Sequence, residues 1–165
     1  MRKKKALFAV IWASVFALDR LTKLWAEAEL AGKEGSRVIF FLLELRYSEN
    51  RGMALGFLAG NEWATLLLPL VAVAIWFFVF RKYQSTRFTA VASALMLGGF
   101  AGNFLDRLTL GYVVDMIYFP FLPWFICNVA DIAICLGVAM MAVSLLVRPM
   151  DWGVKHAEED GASPS

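Results

Sequence analysis

The chain has 165 residues, of which 60% are apolar and only 18% charged, with a net charge of +2. A soluble domain is nearer half apolar and a quarter charged, so the composition describes a membrane protein, and the length fits one compact unit. The basic residues lie at the edges of apolar runs and form no single patch, which excludes a nucleic-acid partner.

Taken in order, apolar segments run over residues 6–28, 63–80, 88–105 and 123–147. Each is close to the ~20 residues that a spanning helix needs. The first follows Met1-Arg-Lys-Lys-Lys, as a signal peptide would, but Asp19-Arg20 interrupts it and no clear small-x-small cleavage site follows. It is read as a retained first span. Positive charge gathers at Arg2 to Lys5, at Arg81, Lys82 and Arg87, and at Arg148 and Lys155. With four spans these clusters share one side, so both termini are expected in the cytoplasm. The stretches 29–62 and 106–122 then face outward, and residues 151–165 form a polar tail holding the lone histidine, His156.

That topology sets the depth of four aspartates. At 1.5 Å per residue, Asp19 lies ~20 Å up the first span, Asp106 ~28 Å up the third and Asp131 ~25 Å along the fourth from its inner end. Asp115 follows the Leu110-Gly111 turn. All four meet near the outer interface, where an ionised carboxylate is costly and marks a functional site by default. The outer stretches have pattern too. Residues 43–48 alternate apolar and polar, and 112–118 are β-branched and aromatic, which predicts a small sheet on the outer leaflet.

Elimination narrows the chemistry. No predicted span contains a histidine, so a zinc protease site and a Ser-His dyad both fail. Lys23 has no serine one helical turn away, which excludes a Ser-Lys hydrolase. Cys127 and Cys135 lie eight apart in one predicted helical segment, ~12 Å along the axis, too far for a disulfide. They are read as packing residues, and neither has a histidine to activate it. Carboxylates remain: two that share a site cannot both ionise easily and can act as acid and base on water with no metal or cofactor.

Local sequence sorts the four. Asp19 has Arg20 beside it and Lys23 at i+4 and is read as a structural ion pair, and Asp106, followed by Arg107, as a helix-end ion pair or cap. Asp115 and Asp131 have no cation within four residues. They are favoured as the proton-sharing pair over any pair with Asp106. Asn103 and Asn128 each precede an aspartate by three, placing amide and carboxylate on one helix face. Gly98, Gly99 and Gly102 permit close backbone approach.

The ordered set Asp19-Arg-Leu-Thr-Lys23, Asn50-Arg-Gly-Met-Ala54, Gly98-Gly-Phe-Ala-Gly-Asn103-Phe-Leu-Asp106-Arg107, Val113-Val-Asp115 and Asn128-Val-Ala-Asp131 resembles the lipoprotein signal peptidase (signal peptidase II) family over about residues 6–147. The resemblance implies a mainly α, four-span aspartic endopeptidase of the bacterial plasma membrane, with a small extracytoplasmic β cradle and no cofactor or metal. It implies cleavage of diacylglyceryl-modified prolipoproteins before the lipidated cysteine, with Asp115 and Asp131 as catalytic dyad. Asn50, Gly99, Asn103, Arg107 and Asn128 map to substrate-binding positions, and Asp19, Lys23, Asp106 and Ala130 to supporting ones. Membrane lipids and globomycin-type peptides are the other implied partners, and a monomer is expected. Cys127 and Leu55 stand where the family usually has Phe, which bears on pocket shape.

Two other classes compete. A proton-coupled carrier needs carboxylates spread across the membrane, yet these lie at one level. A non-catalytic assembly factor would use all four in similar ion pairs, yet two lack local cations.

Overall fold

The computed structural model describes residues 2–39, 41–52, 62–80 and 86–153. Within them lie α1 (Arg2–Leu30), β1 (Ser36–Ile39), β2 (Leu43–Asn50), α2 (Glu62–Phe80), α3 (Arg87–Leu110), β3 (Val113–Tyr118), β4 (Ile126–Cys127) and α4 (Val129–Val147), then a 3-10 turn over Pro149–Trp152. Leu55, the loop cations Arg81 and Lys82, and the tail residues Lys155 and His156 lie outside the described residues.

Local sequence accounts for the helix ends. Thr86 caps α3 through a reciprocal box with Thr89, and Gly111, at φ 79°, ends it with its N–H donating to Arg107 O. Such boxes satisfy two of the donors a helix start leaves unpaired. Asn128 caps α4 in the same way, paired with Asp131.

The last helix therefore starts later than its apolar run. Residues 123–128 are not helical: Ile126 and Cys127 pair with Tyr118 and Ile117 as β4. Pro123 disfavours a helical residue before it, and the sheet claims the backbone after it. Cys127 and Cys135 consequently belong to different elements, one buried and one exposed. Asn128 likewise precedes the helix, so cap geometry, not a shared helix face, brings it to Asp131.

The expected small sheet is present. Its four strands are antiparallel in the order β1-β2-β3-β4. β3 is buried from Val113 to Met116. Val114 and Met116 pack with Ala26 and Leu30 of α1. Because successive strand side chains face opposite ways, Val113 and Asp115 turn away from α1. Ser48 of β2 sits opposite Asp115, which puts Asn50 near the same carboxyl.

Below the sheet, α3 is the central helix. An added Cβ at Gly99 would lie 2.5 Å from the Ala130 backbone oxygen of α4, and one at Gly102 would overlap Asp19 Oδ2 of α1. Both positions need glycine because neighbouring atoms already occupy that space. Among the described residues, α3 and α4 are the two helices long and apolar enough to cross a membrane, and α2 holds a shorter apolar stretch, Trp63–Phe78. The exposed large side chains include Leu67, Val71, Ile75 and Phe78 of α2 and Leu136, Val143 and Leu146 of α4. An outward apolar face of that extent needs a lipid or protein cover.

Candidate active site

The polar residues gather where α1, α3 and the start of α4 meet the sheet. Asp19, Lys23, Asp106, Asp115 and Asn128 are all at or below 1% exposed. A buried charge must be paired to be tolerated, and two linked groups satisfy that rule.

The first group is an ion cluster. Lys23 Nζ lies 2.9 Å from Asp19 Oδ2 and 2.9 Å from Asp106 Oδ2. Arg20 pairs with Asp106 Oδ1. Two cations thus face two carboxylates. Each carboxylate also holds backbone from another element: Asp19 Oδ1 accepts from Ala130 N at 3.0 Å, and Asp106 Oδ2 from Val114 N at 3.2 Å. Asp19 therefore ties α1 to the first turn of α4, where the helix dipole favours an anion. Asp106 ties α3 to β3. The intrahelical Asp19–Lys23 pair is as the spacing predicts. The cations of Asp106 are not: they come from Arg20 and Lys23 across the bundle, while the adjacent Arg107 donates to Gly52 O at 3.1 Å. Neighbours in sequence point about 100° apart on a helix, so Arg20 turns away from Asp19 and Arg107 away from Asp106.

The second group holds the other two aspartates. Asn128 touches both. Its Nδ2 donates to Asp115 Oδ1 at 2.7 Å, and its backbone N donates to Asp131 Oδ2 at 3.3 Å. Asn50 Nδ2 donates to Asp115 Oδ2 at 2.9 Å, and Asn103 Nδ2 to Asp131 Oδ1 at 2.8 Å. Every carboxyl oxygen of the pair accepts an N–H. Burial, with Asp131 close by as the second cause, pushes the Asp115 carboxyl up to about 7, against the pull of the Asn50 and Asn128 hydrogen bonds. A carboxyl poised there can hold or release a proton at neutral pH.

A cleft of about 470 Å³ opens beside this pair. Asn50, Asn103, Arg107 and Asp131 form its polar wall, and Trp124 and Ile134 belong to its apolar wall. Asp131 faces the cleft, whereas Asp115 is completely buried. Of the positions mapped to substrate contact, Asn50, Asn103 and Arg107 reach the cleft. Asn128 lies behind it, holding the aspartates, and Gly99 lies against the Ala130 backbone of α4 as a packing residue. Among the described residues no group of three or more His, Cys, Asp or Glu side chains is arranged to hold a metal ion. The partners that sequence reasoning missed are backbone groups, Ala130 N, Val114 N and Gly52 O, which carry no residue-type signal.

Fold and site together define a class: a helical membrane protein with an aspartate-centred polar cleft under a small sheet. Comparison with known proteins narrows it. The family model described as signal peptidase (SPase) II matches residues 11–147. A lipoprotein signal peptidase of Latilactobacillus sakei subsp. sakei is 34% identical over 143 residues, covering 86% of this chain and 95% of that one. One from Streptococcus agalactiae serotype Ia is 30% identical over 143 residues, covering 86% and 93%. Among solved structures, a bacterial membrane enzyme determined by the in meso method at 2.3 Å resolution superposes with a TM-score of 0.72 at 26% identity, covering 92% of this chain and 94% of that one. This chain belongs to the signal peptidase II family, a protease family whose activity is the removal of signal peptides from prolipoproteins.

Proposed function

We propose that the chain cleaves diacylglyceryl-modified bacterial prolipoproteins on the amino side of the lipidated cysteine, with Asp115 and Asp131 as the catalytic pair. The observation that carries this reading is Asn128, which hydrogen-bonds to both carboxylates at once. Groups held that close cannot both ionise easily, so one keeps a proton while the other accepts one. The ionised member takes a proton from water as the oxygen attacks the scissile carbonyl. The protonated member donates to the carbonyl oxygen. The proton taken from water then passes to the leaving amine as the C–N bond breaks, and the intermediate returns the carbonyl-oxygen proton to the other carboxylate, which restores the pair. Asn50 and Arg107, on the polar wall of the cleft, hold the peptide extended, and the apolar wall takes its lipidated side. A globomycin-type peptide competes for the same cleft.

The topology proposed with this reading is a single four-span domain over residues 1–150, in the plasma membrane. Both termini are cytoplasmic, the sheet rests on the outer leaflet, and the cleft faces the extracytoplasmic side. α1 is the least apolar of the four spans, and the ion cluster of Asp19, Arg20, Lys23 and Asp106 offsets the charges it carries into the bundle. The test is cleavage by purified protein of a prolipoprotein with and without its diacylglyceryl group. The lipidated substrate should be cut, the unmodified one spared, and globomycin should block the reaction. Equal cleavage of both, or of neither, contradicts the proposal.

A further inference from the structure

The sequence leaves open which aspartate holds the proton, and Lys23 bears on that choice. Its ammonium is 1% exposed and has three oxygen neighbours: Asp19 Oδ2, Asp106 Oδ2 and, at 2.7 Å, Asn103 Oδ1. An ammonium has three donors and no acceptor. The Asn103 amide can therefore meet it only through its oxygen. Asn128 Nδ2 donates to the same oxygen at 3.1 Å, which reinforces that orientation. The Asn103 NH₂ is consequently aimed the other way, at Asp131 Oδ1. An NH₂ requires an acceptor, and an ionised carboxylate accepts at both oxygens.

Asp115 is served differently. The amide on its Oδ2 comes from Asn50 at the end of β2, whose own oxygen is held by Gly52 N at 3.0 Å. Among the described residues no buried cation is hydrogen-bonded to that amide. Asp115 is completely buried, one hydrogen bond behind Asn50 of the cleft wall, while Asp131 lines the cleft, where the attacking water must arrive.

We propose that Lys23 is a positioning residue for hydrolysis: it locks the Asn103 amide so that Asp131 is the ionised member that takes the proton from water, and Asp115 is the proton donor. The inference rests on the dyad reading above. Lys23 acts by orientation more than by net charge, because Asp19 and Asp106 together balance Lys23 and Arg20. The other titratable groups around Asp131 are Arg107 of α3, Asp115 of β3 and Cys127 of β4, with Glu49, Arg51 and Cys135 on the same cleft and Asp19, Arg20 and Asp106 in the ion cluster around Lys23. Among the described residues none of these hydrogen-bonds to the Asn103 side-chain oxygen; Arg107 donates to the Asn103 backbone oxygen instead.

The acid limb of the pH profile of kcat/KM reports the protonation that must be lost before the base can act. Removing Lys23 frees the amide to flip, withdraws its donor from Asp131 and moves that limb to higher pH. The variant should be Lys23→Met/Asp19→Asn, which removes one charge of each sign and keeps the cluster neutral. Asn103→Leu removes the donor directly and leaves the Lys23 carboxylate pairs in place. Each should shift the acid limb up by about one pH unit, the scale of one lost hydrogen bond to a charged group. The two changes combined should shift it no further than Asn103→Leu alone, because they act through one amide. Additive shifts, or slower cleavage with the acid limb unmoved, overturn the inference and leave the function standing. A wild-type protein that does not cut lipidated substrate overturns both. A Lys23→Met/Asp19→Asn protein that does not fold while Asn103→Leu leaves the limb in place also overturns the inference.

Discussion

Asp115 is a carboxyl that the fold keeps from ionising easily, and this has a measurable consequence. Its unfolded value is 3.8 and its folded value about 7. A raised folded value contributes stability that is fully present below 3.8 and lost as pH rises through about 7. The wild type should therefore lose melting temperature relative to Asp115→Asn between pH 4 and pH 8, with a slope of at most about 1.4 kcal/mol per pH unit. Parallel pH curves for the two proteins would refute a protonated Asp115. The sequence separated Asp115 and Asp131 from Asp19 and Asp106 by the absence of a local cation. In the structure Lys23 and Arg20 pair with Asp19 and Asp106. It was less legible who pairs with whom. Arg107 adjoins Asp106 in the chain but bonds Gly52 O, because adjacent helical residues diverge.

At the scale of elements, apolar runs and charge edges mark the helices, alternation marks β2, and β-branched and aromatic residues mark β3. What stayed hidden was the start of α4 and the contacts just beyond its end. Residues 126–127 read as part of an apolar span until pairing with β3 is known. Asp151 and Trp152 read as polar tail, yet Asp151 is 2% exposed and Trp152 packs on Phe80, with ring centroids 5.2 Å apart. Asp151 Oδ2 accepts from Ser144 Oγ at 2.7 Å and Arg148 Nε at 2.8 Å. The Arg148 hydrogen bond holds the Asp151 carboxyl below the usual carboxylate range, against the effect of burial. A depressed value contributes stability present above 3.8 and lost as pH falls through the folded value, so it is intact at pH 7. Asp151→Ala should lower the melting temperature at pH 7 by about 2–4 °C, the shift for ~1 kcal/mol in a chain of this size. Cleavage should be unaffected, because this clasp lies at the far end of α4 from Asp131. An unchanged melting temperature would show that the clasp contributes nothing.

For the whole molecule, charge bias and helix rise led to the expectation that four aspartates meet at one level, and the structure gathers the four between helices and sheet. The sequence could not show that backbone donors and two asparagines join them into one network, since those links run between elements up to 111 residues apart. The four-span topology has its own test. In a protein freed of its native cysteines, Glu34→Cys should react with an impermeant maleimide on intact cells, and Arg2→Cys only after the membrane is opened; the reverse pattern would invert the proposed orientation. The most direct measurement of the central claim is turnover of a diacylated prolipoprotein by Asp115→Asn and Asp131→Asn proteins that are folded and membrane-inserted. Neither variant should release signal peptide above the uncatalysed background. Cleavage at the wild-type rate by either one would contradict that claim.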